Sequence, residues 1–391
     1  MNRSPILATG SAPRYHALDG MRAAMMLLGI YLHVAVAYAT IGGWPYKQAA
    51  LTPSLNVTIT GIHIFRMPAF YMMAGFFAAL LYARRGWRAA AANRLSRIGV
   101  PFVVGWLILF PLVVALIAVG KGGLGPLVAG LPPAPWWTRL HPMHLWFLEY
   151  LLVLYVLALA AVPAVGALPA AWRMAFNRLF RWAVATPGGL VVLALPSGLA
   201  LLPMRWAGLD DPPSFVPLPH IVIAYAIPFA VGWLLHRNAD LLEALQRRAW
   251  DNAVLAAVAT TLYFTLLYDQ PDHGAAFVAK CAAHAVAMWS IIFGVTGLFL
   301  RYLRGHNAVW RYLCDASYFL YIAHMPVIIV LQLALAPLDV PPLLKVPVVL
   351  VAATAILIVL YHYTVRPTFI GAALNGRRYP VGRTGVVPAA A

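Results

Sequence analysis

The sequence predicts an all-α protein: a polytopic integral-membrane helical bundle of about ten transmembrane helices, with both termini cytoplasmic. Three observations carry this. First, 63% of the 391 residues are hydrophobic and 10% are charged, whereas soluble domains carry about 25% charged residues; the mean hydropathy is +0.80. Second, apolar stretches near the ~20 residues needed to cross a bilayer recur along the whole length, at 19–41, 56–83, 98–120, 144–166, 188–204, 218–235, 250–268, 275–300, 316–336 and 343–365. Third, with the N-terminus placed inside, 21 of the 28 Lys and Arg residues fall on same-side segments, six fall on opposite-side segments or span ends, and Arg66 falls inside a span. An excess of Lys and Arg marks cytoplasmic loops. The net charge of +17 therefore reflects topology and argues against a nucleic-acid partner.

Taken in order, residues 1–13 form a Pro/Gly/Ala/Arg-rich tail with no apolar period, expected to be disordered. The first stretch has two arginines before it and a histidine within it, and reads as a retained span rather than a cleavable signal peptide. The external loop 121–143 carries Trp136 and Trp137, expected at the headgroup level. The fifth stretch is the weakest, interrupted by Pro187, Pro196 and Pro203. The segment 236–250 places Leu241, Leu242 and Leu245 on one helical face, the pattern of a short amphipathic helix on the cytoplasmic surface. Cys281 and Cys314 fall toward opposite ends of their region, which disfavours a structural disulfide. Residues 14–375 thus read as one transmembrane domain, and 376–391 as a second disordered tail. No internal repeat is visible, although many transporters are built from repeats.

Titratable groups inside spans are costly, so each is a functional hypothesis. In the first span, eleven residues separate Arg22 from His33. At ~100° and ~1.5 Å per residue that places both on one face, about 16 Å apart. Arg22 falls near the cytoplasmic end and His33 beyond the bilayer centre; the bland alternative is a snorkelling arginine and a core histidine. In the second span His63 and Arg66 are three residues apart and face one way. The fourth span opens with "HPMHLWFLEY", which supplies His144, Trp146 and Glu149, with Arg66 or His33 the expected partner of Glu149. The ninth adds Tyr321 and His324, and His284 in the eighth reads as core. Several imidazoles, a guanidinium and a carboxylate at similar depth imply a wet cavity suited to acid–base work. No metal-ligand spacing and no nucleophile elbow accompanies them. On the cytoplasmic side Arg84, Arg85 and Arg88 read as topology, whereas Arg94 and Arg97, one turn apart before the third span, have the spacing to grip phosphates.

The stretches "LDGMRAAMMLLGIYLHVA", "FRMPAFYMMAGFF", "RLSRIGVPF", "HLWFLEYLL" and "SYFLYIAHMPV", in that order, resemble the membrane-bound acyltransferase-3 family, most closely its branch implicated in succinylating periplasmic glucans. Two departures are Ala23, where many members have Gly after the arginine, and Ala74-Gly75, where Ser-Gly is common. The resemblance implies transfer of an acyl group from a cytoplasmic acyl-CoA, succinyl-CoA in that branch, to a hydroxyl of a periplasmic glucan or other polyol, in the bacterial inner membrane. It further implies that His33 is catalytic and that Arg22, Arg94 and Arg97 serve the donor.

Combined with the residue reading, the expectation is that Arg22, Arg94 and Arg97 hold the donor phosphates and that His33 acts as general base. Glu149 would orient its imidazole, while His63, Arg66, Trp146, Tyr321 and His324 line the acceptor or oxyanion site. No permanently bound cofactor or metal is expected. The alternatives are a transporter of a small anionic solute, the same chemistry on a lipid-linked or other acceptor, and a non-catalytic scaffold.

Overall fold

The computed structural model describes residues 15–44, 47–129, 135, 140–303, 305, 307–376 and 378–379. Every regular element among these residues is helical. In chain order the α-helices are α1 (His16–Ala35), α2 (Ser54–Arg94), α3 (Val100–Gly120), α4 (Leu124–Ala129), α5 (Trp146–Ala167), α6 (Ala170–Ala185), α7 (Leu190–Leu201), α8 (Pro219–Arg237), α9 (Leu241–Arg247), α10 (Ala249–Leu262), α11 (Gly274–Tyr302), α12 (Ala308–Leu335), α13 (Pro342–Leu360) and α14 (Phe369–Asn375). Wider π turns at Leu95–Gly99, Tyr263–Leu267 and Tyr361–Val365 extend α2, α10 and α13.

Eight helical runs are long and apolar enough to cross a membrane, and nine if α6 and α7, bent by 101° at their junction, count as one. The run Ser54–Gly120 contains 67 residues. At 1.5 Å per residue it would extend about 100 Å, three times a ~30 Å hydrocarbon core. It does not run straight: Gly86 breaks it with φ 72° and ψ 175°, so it accommodates both the second and third apolar stretches of the sequence. The fifth stretch yields only the 12-residue α7 with Pro196 inside it, as its prolines lead one to expect.

One surface expectation is corrected. Helix α9 forms within 236–250, but Leu241, Leu242 and Leu245 are buried, and the helix packs on α11 and α6. Its apolar stripe covers protein, not lipid. Helix α6 does show an apolar face outward, with Trp172, Phe176, Leu179 and Trp182 exposed, as do α3 and α13 with Val104, Leu107, Ile108, Leu344, Val348 and Val351. Both cysteines are free and buried. Trp136, Trp137 and the first tail lie outside the described residues, as does most of the second. Within that second tail, the Tyr379 hydroxyl donates to Asp315 Oδ2 at 2.9 Å.

Small residues set the closest approaches. A methyl group on Gly75 of α2 would collide with the Phe229 carbonyl of α8, and one on Gly232 of α8 with the Met72 carbonyl of α2. Backbones can touch only where side chains are absent, the usual device for helix pairing in lipid. The departure at Ala74-Gly75 therefore retains the residue on which the α2–α8 contact depends. Helix α1 packs against α2, α11, α12 and α13. It lies between a large apolar cluster, which includes Met21, Phe76, Tyr225 and Trp289, and a smaller one that includes Ile30, Leu320 and Val349. Of its polar residues, His33 is only partly exposed, while the Arg22 side chain keeps 40% of its surface accessible.

Candidate active site

The site has two ends, both organised by α1. At the N-terminal end, Arg22 pairs with Asp19 at 3.4 Å, and its guanidinium carbon lies 5.9 Å from the Phe77 ring centroid. Arg94 reaches the same residue from the end of α2: Nη2 donates to the Phe77 carbonyl at 3.2 Å. The guanidinium of Arg94 also stands 4.9 Å over the Tyr155 ring, and its Nε is buried without a protein partner. Arg22 and Arg94, 72 positions apart in sequence, thus converge on Phe77. Arg97, three residues on from Arg94, makes other contacts. It lies on the π turn, where its carbonyl accepts from the Tyr318 hydroxyl at 3.0 Å and its guanidinium packs against Gly376. Gly376 closes α14 in the left-handed conformation, φ 78°, where glycine carries no Cβ penalty. π turns are frequent at functional sites, and here the turn sends the two arginines of "RLSR" in different directions.

At the C-terminal end of α1 the histidines gather. The His33 ring centroid lies 4.9 Å from that of His324, and His324 lies 4.9 Å from His144. Tyr321 closes the group, its hydroxyl donating to the His144 carbonyl at 2.6 Å. The local reasons are legible in α12. Pro326 has no N–H to offer the carbonyl four residues earlier, and that carbonyl, Ile322 O, is instead paired with His144 Nε2 at 3.0 Å. His324 Nδ1 pairs with the Tyr321 carbonyl at 2.6 Å. His144 is aimed by a strained turn: Met143, a non-glycine residue, has φ 52°, a conformation that persists only where the surroundings enforce it.

Arg66 comes from α2 and is buried. A Cβ built on Gly29 would stand 2.6 Å from Arg66 Nη1, so the guanidinium occupies the space that a side chain at position 29 would fill, one turn along α1 from His33. His33 feels the fields of His324, Arg66, His144 and His63, a predominantly cation-capable surround that suits developing negative charge. Asp211, from the loop before α8, acts electrostatically on both His63 and Arg66. Trp146 stacks toward Tyr225, with ring centroids 5.6 Å apart, and Tyr225 also lies under the field of Asp211. Asp211 thus lies within electrostatic reach of His63, Arg66 and Tyr225.

Glu149 is seated elsewhere. It is buried, its Oε2 has no protein hydrogen-bond partner, and it acts on Tyr71 and Tyr150. No ion pair joins it to Arg66 or His33 among the described residues. His284 packs between Trp206 and Tyr263, with centroid distances of 6.2 and 6.0 Å. No group of three or more His, Cys, Asp or Glu among the described residues is placed to hold a metal.

Asp211 and Tyr225 were not anticipated, and neither were three residues that gather beside His33. The Trp44 ring lies 5.3 Å from that of His33, and its indole Nε1 donates to Gln332 Oε1 at 2.8 Å. Gln332 Nε2 donates in turn to the carbonyl of Val34 at 3.3 Å. Lys47 donates to the carbonyls of Val36, Ala39 and Ile41 at 2.7, 2.7 and 2.8 Å, gathering orphan acceptors where α1 ends. Burial lowers its ammonium pKa from the ordinary lysine value. Lys47 and Gln332 together fold the loop after α1 back on itself and hold Trp44 against His33. A usable signal was present for Gln332, a lone amide in "MPVIIVLQLALA". None marked Trp44, because tryptophan near a span end ordinarily signifies the headgroup region.

A helical membrane bundle whose first helix brings Arg22 to a converging arginine pair at one end and His33 to a histidine cluster at the other has the form of a membrane-embedded group-transfer enzyme. The family model described as "Acyltransferase domain", acyltransferase family 3, matches residues 15–362. The chain belongs to this family, and it is a multi-pass membrane acyltransferase. It is similar to proteins named glucans biosynthesis protein C from Salmonella paratyphi B, Salmonella choleraesuis and Salmonella agona. Each is 26% identical over 343 residues, covering 81% of this chain and 82% of the relative. No solved structure matches the chain.

Proposed function

We propose that the protein transfers an acyl group, succinyl in the first instance, from a cytoplasmic acyl-CoA to a hydroxyl of a periplasmic glucan, across the inner membrane of a bacterium. The observation that carries this reading is the arrangement on α1: Arg22 converges with Arg94 at one end, and His33 meets His324 at the other. Phosphates suit the first end, since guanidinium groups bind them through charge-assisted hydrogen bonds. Arg97 flanks that end as a further cation. The thin pantetheine arm then runs along α1 and brings the thioester to His33.

His33 takes the hydroxyl proton as the acceptor oxygen attacks the thioester carbonyl. The carbon–sulfur bond breaks, and the proton passes to the departing thiolate. Arg66, fixed beside Gly29, stands where it offsets the oxyanion charge, and Tyr321 and His63 complete that wall. Trp146 supplies an aromatic face for a sugar ring. Direct transfer requires no covalent acyl-enzyme. The names of the relatives support a glucan acceptor, and the cationic surround supports a donor with a second carboxylate.

The test is release of free thiol by purified protein in nanodiscs, with succinyl-CoA or acetyl-CoA, with and without a periplasmic glucan extract. Glucan-dependent release, faster with succinyl-CoA, is expected. Solute flux through proteoliposomes with no thioester consumed would favour an anion transporter instead.

A further inference from the structure

Helix α6 differs from the other outward apolar faces in its direction and in the cations that border it. It turns 101° from α7, which packs on α11, one of the runs long and apolar enough to cross the membrane. Its 16 residues cover about 24 Å, short of a ~30 Å hydrocarbon core. One side of the helix is tied down. Phe180 and Val184 are buried, Arg181 donates to both carboxylate oxygens of Asp240 at 3.0 and 2.6 Å, and Asn177 Oδ1 accepts from Asn238 Nδ2 at 2.9 Å. The other side carries Trp172, Phe176, Leu179 and Trp182, all exposed, within about 120° of the helix circumference. Arg173 stands about 60° beyond one edge of that sector and Arg178 about 40° beyond the other. Both arginines are exposed, and among the described residues neither is in an ion pair. The outward faces of α3 and α13 lack such borders: α3 contains no charged residue, and the lysine of α13, Lys345, is buried.

The helix also has a definite level in the bundle. Gly297 of α11 abuts the Leu245 carbonyl of α9, and a little further along α11 Phe299 and Leu303 abut Gly20 of α1. Helix α9, on which α6 packs, therefore lies at the Arg22 end of α1. We propose that α6 is an interfacial helix that binds anionic phospholipid: Trp172, Phe176, Leu179 and Trp182 sit at the boundary between headgroups and acyl chains, and Arg173 and Arg178 hold lipid phosphates on either side of them. Tryptophan favours that boundary, and an apolar face flanked by cations is the pattern of a helix lying in the membrane plane. Guanidinium groups bind phosphate through charge-assisted hydrogen bonds. An anionic headgroup brings no ammonium of its own to compete for that phosphate, which favours it over a zwitterionic one. Through Arg181 and Asn177 the helix clamps the corner between α8 and α9, so lipid seated on α6 braces the Arg22 end of the bundle. This surface is separate from the acyl-transfer site and does not depend on which donor or acceptor the enzyme uses.

The test places a nitroxide on Phe176→Cys, and separately on Met174→Cys toward the opposite flank of α6, in the full chain carrying Cys281→Ala and Cys314→Ala. In nanodiscs containing phosphatidylglycerol, power-saturation EPR is expected to put the Phe176→Cys label about 5–10 Å below the lipid phosphates and the Met174→Cys label in water. A Phe176→Cys label in water, or both labels near the bilayer centre as in a spanning helix, would overturn the proposal. So would dipolar coupling between Phe176→Cys labels of two copies, which would show a second copy covering the face. The headgroup is tested by titrating phosphatidylglycerol or phosphatidylcholine into the detergent-solubilised protein and reading the mobility of the same label. Phosphatidylglycerol is expected to saturate first, and Arg173→Gln with Arg178→Gln to raise its half-saturation about 25-fold, from about fivefold per cation, at an unchanged melting temperature. An equal response to the two lipids, or an unchanged half-saturation in the double variant, would overturn the anionic-lipid assignment.

Discussion

The Arg66 guanidinium lies against Gly29, in space that any side chain at position 29 would occupy: a Cβ there would stand 2.6 Å from Nη1. Position 29 falls between Arg22 and His33 on α1, so a single hydrogen as side chain admits a cation beside the route from one end of the site to the other. Gly29→Ala should displace Arg66 without disturbing the apolar faces of α1. Steady-state kinetics is expected to show kcat reduced about tenfold with the melting temperature within a few degrees of wild type, the response of a transition-state contact moved and not of a bundle unfolded.

The two arginines of "RLSR" should separate in their effects. Arg94 shares Phe77 with Arg22, whereas Arg97 turns to Gly376. Charge-assisted hydrogen bonds are worth about 1.5–3 kcal/mol, so Arg22→Ala and Arg94→Ala should each raise the donor KM by about 10- to 100-fold. Arg97→Ala should raise it less and lower thermal stability instead. Donor titrations of the three variants, with melting curves, test this.

Gln332 is fully buried and bridges the Trp44 indole and the Val34 carbonyl. Gln332→Leu leaves the buried Val34 carbonyl unpaired, at about 1–3 kcal/mol, strips the part-buried Trp44 indole of its acceptor, and releases Trp44 from His33. The expected result is a lower melting temperature together with a weaker acceptor KM. Trp44→Phe, which retains a ring but loses the donor, should reproduce part of the acceptor effect.

The α2–α8 contact should tolerate no added bulk. In Gly232→Leu the side chain meets the Met72 carbonyl, and the helices have to part. Loss of a monodisperse peak in detergent size-exclusion chromatography is expected, whereas Gly188→Ala, where a Cβ meets nothing, should behave as wild type.

Much of this was legible in the residues because membrane helices advertise themselves by length and hydropathy. Each of the ten apolar stretches contains a helix, and the proline-interrupted one is the short, bent α7. The shared depth of the histidines and Arg66 followed from treating every intramembrane charge as functional, and Arg22 was grouped with Arg94 and Arg97 by spacing together with the family resemblance. Other features were not legible, for physical reasons. The leucines of α9 have an amphipathic period whether the apolar face meets lipid or α11. Glu149 and Arg66 share a depth, but depth does not fix azimuth, and the field at Arg66 comes from Asp211 in a loop. The divergence of Arg94 and Arg97 depends on a π turn that residue spacing does not announce. Lys47 and Gln332 act on backbone carbonyls, and sequence pattern shows side chains better than it shows their backbone partners.

The central claim is that His33 removes the acceptor proton during acyl transfer. The most direct measurement is acceptor-dependent thiol release from the preferred acyl-CoA by wild type and His33→Ala, in nanodiscs, with melting temperatures matched and the acylated glucan confirmed by mass spectrometry. The account predicts ester formation by wild type and a loss of about 10²–10⁴-fold in the variant, the range for removal of a general base. Ester formation at an undiminished rate by folded His33→Ala would contradict it.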